Sequence, residues 1–389
     1  MPQFILKKDH IRLISVLSAA ITSLPFIGGA VGGIYVWFSP NVMLASAIAL
    51  RSVVLFNLLG IAVMLLCLYR KRWLCSTLCP TGWCCHHVSE RAYRTRSIRT
   101  SANIGKWIAV FTITTAIFGY PLLLWIDPLV FFTGFFTIFR FEDLSLPVIV
   151  SLSFFPFLLL TQWVFPHSWC GRICPLGGLQ DMLWTLRSAF YRNFGKKITE
   201  SSRQNGFTRR ELLVSVSGLL AGGFLNTVKS KQQNQTIRPP AALDTPQFET
   251  ICLRCGNCVR ACPTHIIKRN TAPADWYAWM TPCIDFTDGY CLSDCTVCGT
   301  VCPSGAISPF TISAKKILPI GKACIEIENC LLQIPEECNR CKSVCVYDAI
   351  KITAVTGTKV LPQLDETRCV GCGACAQICP EKIIQIKLK

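Results

Sequence analysis

The 389-residue chain is 51% hydrophobic, carries 25 cysteines and has a formal net charge of +17; its mean hydropathy is +0.42. That apolarity excludes an ordinary soluble enzyme. The cysteines fall into tight CxxC and CxxxCP groups, which point to metal rather than to the disulfide scaffold of a short secreted chain. Nor does the charge mark a nucleic-acid binder: residues 1–228 hold 21 Lys/Arg against 8 Asp/Glu, residues 229–389 hold 18 against 14, and no stacking or groove-reading motif accompanies the excess.

In chain order, four apolar stretches come first, at about Ile11–Phe38, Val53–Tyr69, Ile104–Ile126 and Leu146–Phe165. Each supplies about 20 residues, the length a helix needs to cross a hydrocarbon core of about 30 Å. Pro25, Pro121 and Pro156 interrupt three of them, and membrane helices tolerate proline where neighbours satisfy the freed carbonyls. Basic residues collect before the first stretch (Lys7, Lys8, Arg12), after the second (Arg70, Lys71, Arg72, Arg91) and after the fourth (Arg172, Arg187, Arg192). By the positive-inside rule the N-terminus and these loops are cytoplasmic. The segment DPLVFFTGFFTIFRFED between the third and fourth stretches is expected as an interfacial helix on the outer face, either adhering to the membrane or walling a quinol pocket.

Two motifs repeat at equivalent places after the even-numbered stretches: WLCSTLCPTGW, with Cys75 and Cys79, and SWCGRICPLGG, with Cys170 and Cys174. Four thiols at one depth could hold a metal or cluster, form redox-active disulfides, or be plain border cysteines ahead of a helix-starting proline. His86, His87 and His167 lie near them.

Residues 207–224 read FTRRELLVSVSGLLAGGF, a paired arginine followed by a short apolar run. That is the pattern of a twin-arginine export signal, here inside a chain. Leu212–Val228 would serve as a fifth span that begins on the basic side, with Gly218, Gly222 and Gly223 weakening it. A polar stretch with Pro239-Pro240 follows and reads as a linker.

From about residue 251 the chain is cysteine-rich. Cys252, Cys255, Cys258, Cys262 and Cys369, Cys372, Cys375, Cys379 both have the C-x2-C-x2-C-x3-CP spacing of bacterial ferredoxins. Three close thiolates wrap one [4Fe–4S] cubane on a tight loop, while the fourth reaches a different cluster. Gly256, Gly371 and Gly373 are expected to relax the loops where backbone approaches sulfur. Two looser groups, Cys291, Cys295, Cys298, Cys302 and Cys330, Cys338, Cys341, Cys345, also end in C-x2-C-x3-C. Sixteen thiolates suffice for four clusters. Cys283 or Cys324 could replace Cys291 or Cys330 as first ligands. Structural zinc is the competing reading. The crossing rule leads us to expect Cys252, Cys255, Cys258 with Cys379; Cys369, Cys372, Cys375 with Cys262; and an exchange of Cys302 with Cys345. AIKIT (349–353) and the alternating KIIQIKL (382–388) would close two ferredoxin-like pseudo-repeats.

These residues carry a resemblance. RWLCSTLCP and HSWCGRICPLGGL within four spans resemble NapH-type membrane proteins, and the chain from IRPPAALDTPQFETICLRCGNCVRACP onward resembles NapG- and MauM-type polyferredoxins. Together they look like a NapH–NapG-type fusion, with TRRELL (208–213) at the seam. The implied fold is multi-domain: an α-helical transmembrane bundle (1–200) of four spans, a fifth signal-anchor span and linker (201–250), and an α+β ferredoxin-like domain (251–389). The resemblance implies a multi-pass protein of the bacterial inner membrane, its N-terminus cytoplasmic and its ferredoxin domain periplasmic. It implies quinol oxidation, four [4Fe–4S] clusters, and onward transfer to a periplasmic reductase such as a nitrate reductase system, usually through a cytochrome. The expected partners are the membrane, the quinone pool and that reductase or cytochrome, with no nucleic acid. A maturation factor for another metalloenzyme and a cytoplasmic polyferredoxin are the competing readings.

Overall fold

A computed structural model describes residues 2–24, 33–53, 58–92, 103–136, 146–193, 209–228, 236–272, 278–333, 338–356 and 359–388. The chain divides into two compact units. The first comprises residues 1–232, 246–255 and 303–306, the second residues 233–245, 256–302 and 307–389.

The first unit is helical. Its main helices are Pro2–Ser23, Pro40–Leu50, Leu58–Tyr69, Pro80–Glu90, Ile104–Ala116, Pro128–Phe136, Leu146–Val164, Pro175–Asn193 and Arg209–Val228. Prolines open several of them, as expected at a first helical position where the missing N–H would be unpaired anyway. Ser39 caps the helix at Pro40 by accepting from Val42 N at 3.3 Å. Two further helices meet backbone to backbone: a side chain at Gly105 would strike the Cys174 carbonyl, and one at Gly178 would strike Gly105 itself. This contact fixes the turn that carries Cys174.

The expected transmembrane bundle is not found. Among the described residues no helix is long and apolar enough to cross a membrane. The apolar stretches break where local chemistry ends a helix. The third ends as the 13-residue helix Ile104–Ala116, roughly 20 Å at 1.5 Å per residue; of the second, the described helix is Leu58–Tyr69, and residues 54–57 lie outside the described residues. After Ala116 the chain turns through Gly119, at φ 89°, and Pro121. Helix Arg209–Val228 opens on Arg209, Arg210 and Glu211. Glu211 is buried and paired with Lys106 Nζ at 2.5 Å, and a side chain at Gly218 or Gly222 would meet Thr114 or Phe118. These glycines, read in sequence as weaknesses of a span, form a packing face against helix Ile104–Ala116. The residues just before Arg209 lie outside the described residues. The multi-pass inner-membrane placement, with its cytoplasmic N-terminus and periplasmic ferredoxin domain, loses its basis with the spans.

Two details follow from the same correction. Arg72, counted in sequence as a loop charge, is partly buried. It donates Nε to Asp181 Oδ1 at 2.9 Å and Nη1 to the Cys170 carbonyl at 3.2 Å. Helix Pro128–Phe136, expected on an outer membrane face, buries Leu129, Val130, Phe132 and Thr133. Phe132 packs on Phe155 in a small aromatic core with Tyr35 and Ala19. Residues 137–145 of that segment lie outside the described residues.

The second unit is built of short pieces. Its strands are β1 Ile267–Arg269, β2 Pro282–Ile284, β3 Lys322–Ile325, β4 Ile350–Thr356, β5 Lys359–Leu364 and β6 Ile384–Lys387. They form three antiparallel pairs, β1 with β2, β3 with β6, and β4 with β5. The C-terminal alternation IQIK becomes β6, in register with β3 from Lys322↔Lys387 to Ile325↔Ile384. Its inward Ile384 joins Ala323, Ile350, Ile383 and Cys375 in the core.

Candidate metal centres

The last ferredoxin run sits on a loop that only glycine can make. Gly371 and Gly373 have φ of 71° and 85°, the left-handed region that costs other residues strain. A side chain at Gly371 would also collide with the backbone of Gly321. Gly373 precedes the helix Ala374–Ile378, which carries Cys375. Gly256 of the first run likewise has φ 74°. All three glycines therefore take a left-handed backbone conformation that few other residues adopt.

Cys369, Cys372 and Cys375 line a cavity with about 340 Å³ of atom-free space, and its fourth sulfur is Cys345. A second cavity, with about 370 Å³, is lined by Cys291, Cys295, Cys298 and Cys262. In each cavity the fourth sulfur belongs to the neighbouring run, not to the far end of the domain. The expected partnership of Cys369, Cys372 and Cys375 with Cys262 is corrected accordingly. The spacing leads one to expect a fourth cysteine that crosses over; which run it joins depends on packing between segments distant in sequence. In a third set Cys330 and Cys338 act electrostatically on Cys341, and Cys330, Cys341 and Cys379 pack on one core. Cys283 lies on β2 with its Sγ 3.6 Å from the Lys268 carbonyl, and Cys324 is exposed on β3; neither lines a cavity named above. Cys252, Cys255 and Cys258 are buried, and Cys302 Sγ accepts from Ile307 N at 3.4 Å.

Burial pushes the Cys298 thiol up to about 12, the nearby thiols adding to the rise and Lys315 opposing it. Burial also pushes Cys375 up to about 12. Such thiols ionise only when a cation repays the cost, which is how metal binding couples to thiol deprotonation. Among the described residues no three His, Cys, Asp or Glu side chains gather closely enough to hold a single metal ion. The sulfurs surround a space instead of meeting at a point, which suits a cubane better than structural zinc.

Two features of these cavities had no signal in the sequence analysis. Lys315 is 3% exposed and donates Nζ to the carbonyls of Leu292 and Cys295, both at 2.5 Å. It places a buried positive charge beside Cys291 and Cys298. The other is a bridge: Cys291 N donates to the Cys372 carbonyl at 2.8 Å. Tyr347, which lines the Cys345 cavity, is pushed up to about 12 by burial, with Cys372 and Cys291 adding to the rise. Tyr347 lines the first of these cavities only.

In the first unit the two C-x3-CP motifs come together. Cys75, Cys79, Cys170 and Cys174 line one cavity of about 220 Å³, alongside Cys85, His86, His167, Arg12 and Arg72. Cys79 caps helix Pro80–Glu90, its Sγ accepting from Gly82 N at 3.3 Å. Cys174 does the same before Pro175, accepting from Gly177 N at 3.5 Å. The Cys75 thiol is pushed up to about 12 by burial, with Cys170 adding to the rise and Arg72 opposing it. Cys85, whose thiol is hydrogen-bonded to that of Cys170, was missed in sequence. Its signal is helical spacing, since Gly82, Cys85 and His86 share a face three and four residues apart.

These loops and cavities define a ferredoxin-type iron–sulfur protein. Comparison with known families agrees. A 4Fe-4S dicluster domain model matches residues 336–383, and 4Fe-4S binding domain models match residues 148–196 and 247–268. Among curated proteins, the ferredoxin-type protein NapF of Escherichia coli is 33% identical over 168 residues, 43% of this chain and 90% of NapF. The methylamine utilization ferredoxin-type protein MauM of Methylobacillus flagellatus is 31% identical over 176 residues, 44% of this chain and 75% of MauM. The ferredoxin-type protein NapG of Escherichia coli is 30% identical over 190 residues, covering 45% and 82%. The chain belongs to this family of MauM, NapF and NapG ferredoxin-type proteins. No solved structure matches it.

Proposed function

We propose that the chain is an electron relay with four [4Fe–4S] clusters. It would accept electrons from a quinol and pass them to a reductase partner of the nitrate reductase type. That the protein is a ferredoxin-type iron–sulfur protein of electron transfer follows from its family; the cluster count, donor and acceptor are our reading. The observation that carries the count is the grouping of cysteines from neighbouring runs. Cys262 stands with Cys291, Cys295 and Cys298, and Cys345 with Cys369, Cys372 and Cys375. Cys379 would complete Cys330, Cys338 and Cys341, while Cys252, Cys255, Cys258 and Cys302 bring the thiolates to sixteen. Exchange of the fourth ligand is what brings two cubanes close in a dicluster ferredoxin. When bound, each cluster supplies one-electron redox chemistry at a potential set by charge, hydrogen bonds and exposure.

The protein's own groups order the relay. The Cys291–Cys372 hydrogen bond ties two cluster loops together, and Tyr347 lines the cavity of one of them. Quinol as donor and the nitrate system as acceptor are supported by the resemblance to the Nap proteins. MauM, named for methylamine utilization, makes an electron-transfer step in that process the alternative setting. The test is stopped-flow mixing of the purified protein with a water-soluble quinol while the iron–sulfur absorbance is followed. Bleaching in the first turnover is expected. Intact clusters that a quinol never bleaches would remove the donor assignment.

A further inference from the structure

We propose that Cys75, Cys79, Cys170 and Cys174 jointly ligate one further iron–sulfur cluster, held between the two C-x3-CP turns of the first unit. This goes beyond the four-cluster reading and does not depend on it.

Three observations converge. The 4Fe-4S binding domain model matches residues 148–196, yet that segment contains only two cysteines, Cys170 and Cys174. A [4Fe–4S] cluster ordinarily needs four thiolates. The fold supplies the missing pair, because Cys75 and Cys79 line the same cavity.

The second observation is local pseudo-symmetry. In each motif the first cysteine rides a short helical turn, Trp73–Thr77 or Trp169–Ile173. The second cysteine accepts an amide proton three residues on, at the start of a helix of 11 or 19 residues. N–H donors and helix N-termini aimed at sulfur favour thiolate and stabilise an anionic cluster.

The third is the charge and shape of the surroundings. Gln180, fully buried, donates Nε2 to Cys75 Sγ at 3.2 Å. Arg72 lines the cavity and is held in place by Asp181 and by the Cys170 carbonyl. Arg12 lines it too, anchored by Nε on the Ser76 carbonyl at 2.6 Å. Cations suit a thiolate-ligated cluster, whose net charge is negative. A single zinc ion does not fit, since no three ligand side chains among the described residues converge on one point. Cys85 and His86 also line the cavity.

The test uses the whole chain, purified without oxygen, in wild-type form and as the double variant Cys75→Ser/Cys174→Ser. With all sites filled, the variant should hold about four fewer irons than the wild type, one cluster's worth, whatever the total. The Mössbauer quadrupole doublet of the lost site should vanish while the remainder stays. A Cys84→Ser variant, outside the four, should keep full iron. Because the double variant could misfold, the wild type is also alkylated in its native state and mapped by mass spectrometry. Cys75, Cys79, Cys170 and Cys174 should be protected until the iron is chelated, then react together. Equal iron in wild type and double variant would overturn the proposal, as would zinc at these cysteines, or a Cys75–Cys79 or Cys170–Cys174 disulfide recovered from the anaerobic protein. Quinol inactivity would leave these readouts unmoved, so the two readings fail separately.

Discussion

Cysteines are gathered by different means in the two units. In the second unit they ride loops of ferredoxin spacing, held by positive-φ glycines, around cavities with about 340 and 370 Å³ of free space. In the first unit they sit at paired helix starts, beside two arginines, around a single cavity. Loop sites draw their donors from backbone made flexible by glycine. Helix-start sites draw them from a rigid terminus fixed by the packing of neighbouring helices, as at Gly105 and Gly178. The two regions should therefore respond differently to the same kinds of substitution.

The largest contrast is expected from ligand removal. Cys372→Ser should cost about four irons, one cluster's worth, from the second unit and leave the first unit's thiols as protected as before. Iron analysis with thiol mapping checks this. Cys345→Ser should erase the same spectroscopic component as Cys372→Ser, and Cys262→Ser a different one. If Cys262→Ser instead erases the Cys372 component, the neighbour exchange is wrong.

Gly371→Ala should be nearly as severe, because the alanine meets both the positive φ and the Gly321 backbone. A cost of about 1 to 3 kcal/mol, or loss of the cluster on purification, is expected from strain of this kind. The matching substitution in the first unit, Gly171→Ala, faces open space within 4 Å and should be tolerated. Thermal unfolding of the two variants tests the pair.

A smaller effect is a pH dependence confined to the first unit. Burial holds the Asp127 carboxyl up at about 6 against an ordinary value of 3.8, although Ser39 and Leu129 N donate to it. Its folded value exceeds its unfolded value, so the stability it contributes is full below about pH 4 and is lost as pH rises through 6. The loss should not exceed about 3 kcal/mol. Asp127→Asn should flatten that slope in chemical unfolding monitored across pH 4 to 7.

The smallest is electrostatic tuning. Lys315→Met removes a buried positive charge beside Cys291 and Cys298. The adjacent cluster's potential should fall by about 50 to 150 mV, the scale of one charge several ångströms away in an effective dielectric near 20. An unshifted midpoint would mean that the lysine is neutral there or screened.

The comparison also shows what a sequence can carry. The ligand runs were legible because a cubane dictates the spacing of its thiolates, and Gly256, Gly371 and Gly373 because only glycine makes those loops cheaply. Strand β6 was legible from its alternation. The placement of Cys262 and Cys345 in cavities lined by neighbouring runs was not, since it is set by contacts far apart in sequence. The helices were misread for a related reason: an apolar run states how much surface is to be buried, not against what. Helix Arg209–Val228 buries its glycine face on helix Ile104–Ala116, and the twin-arginine pattern foretold none of that. Lys315 had no motif, only a fold that turned it inward.

The most direct test of the central assignment is an EPR-monitored redox titration of the intact chain, with iron, zinc and acid-labile sulfide measured on the same sample. Iron and labile sulfide in equal amounts, with one-electron signals of [4Fe–4S] clusters that interact magnetically between neighbours, are predicted. Stoichiometric zinc with no reducible signal would contradict it.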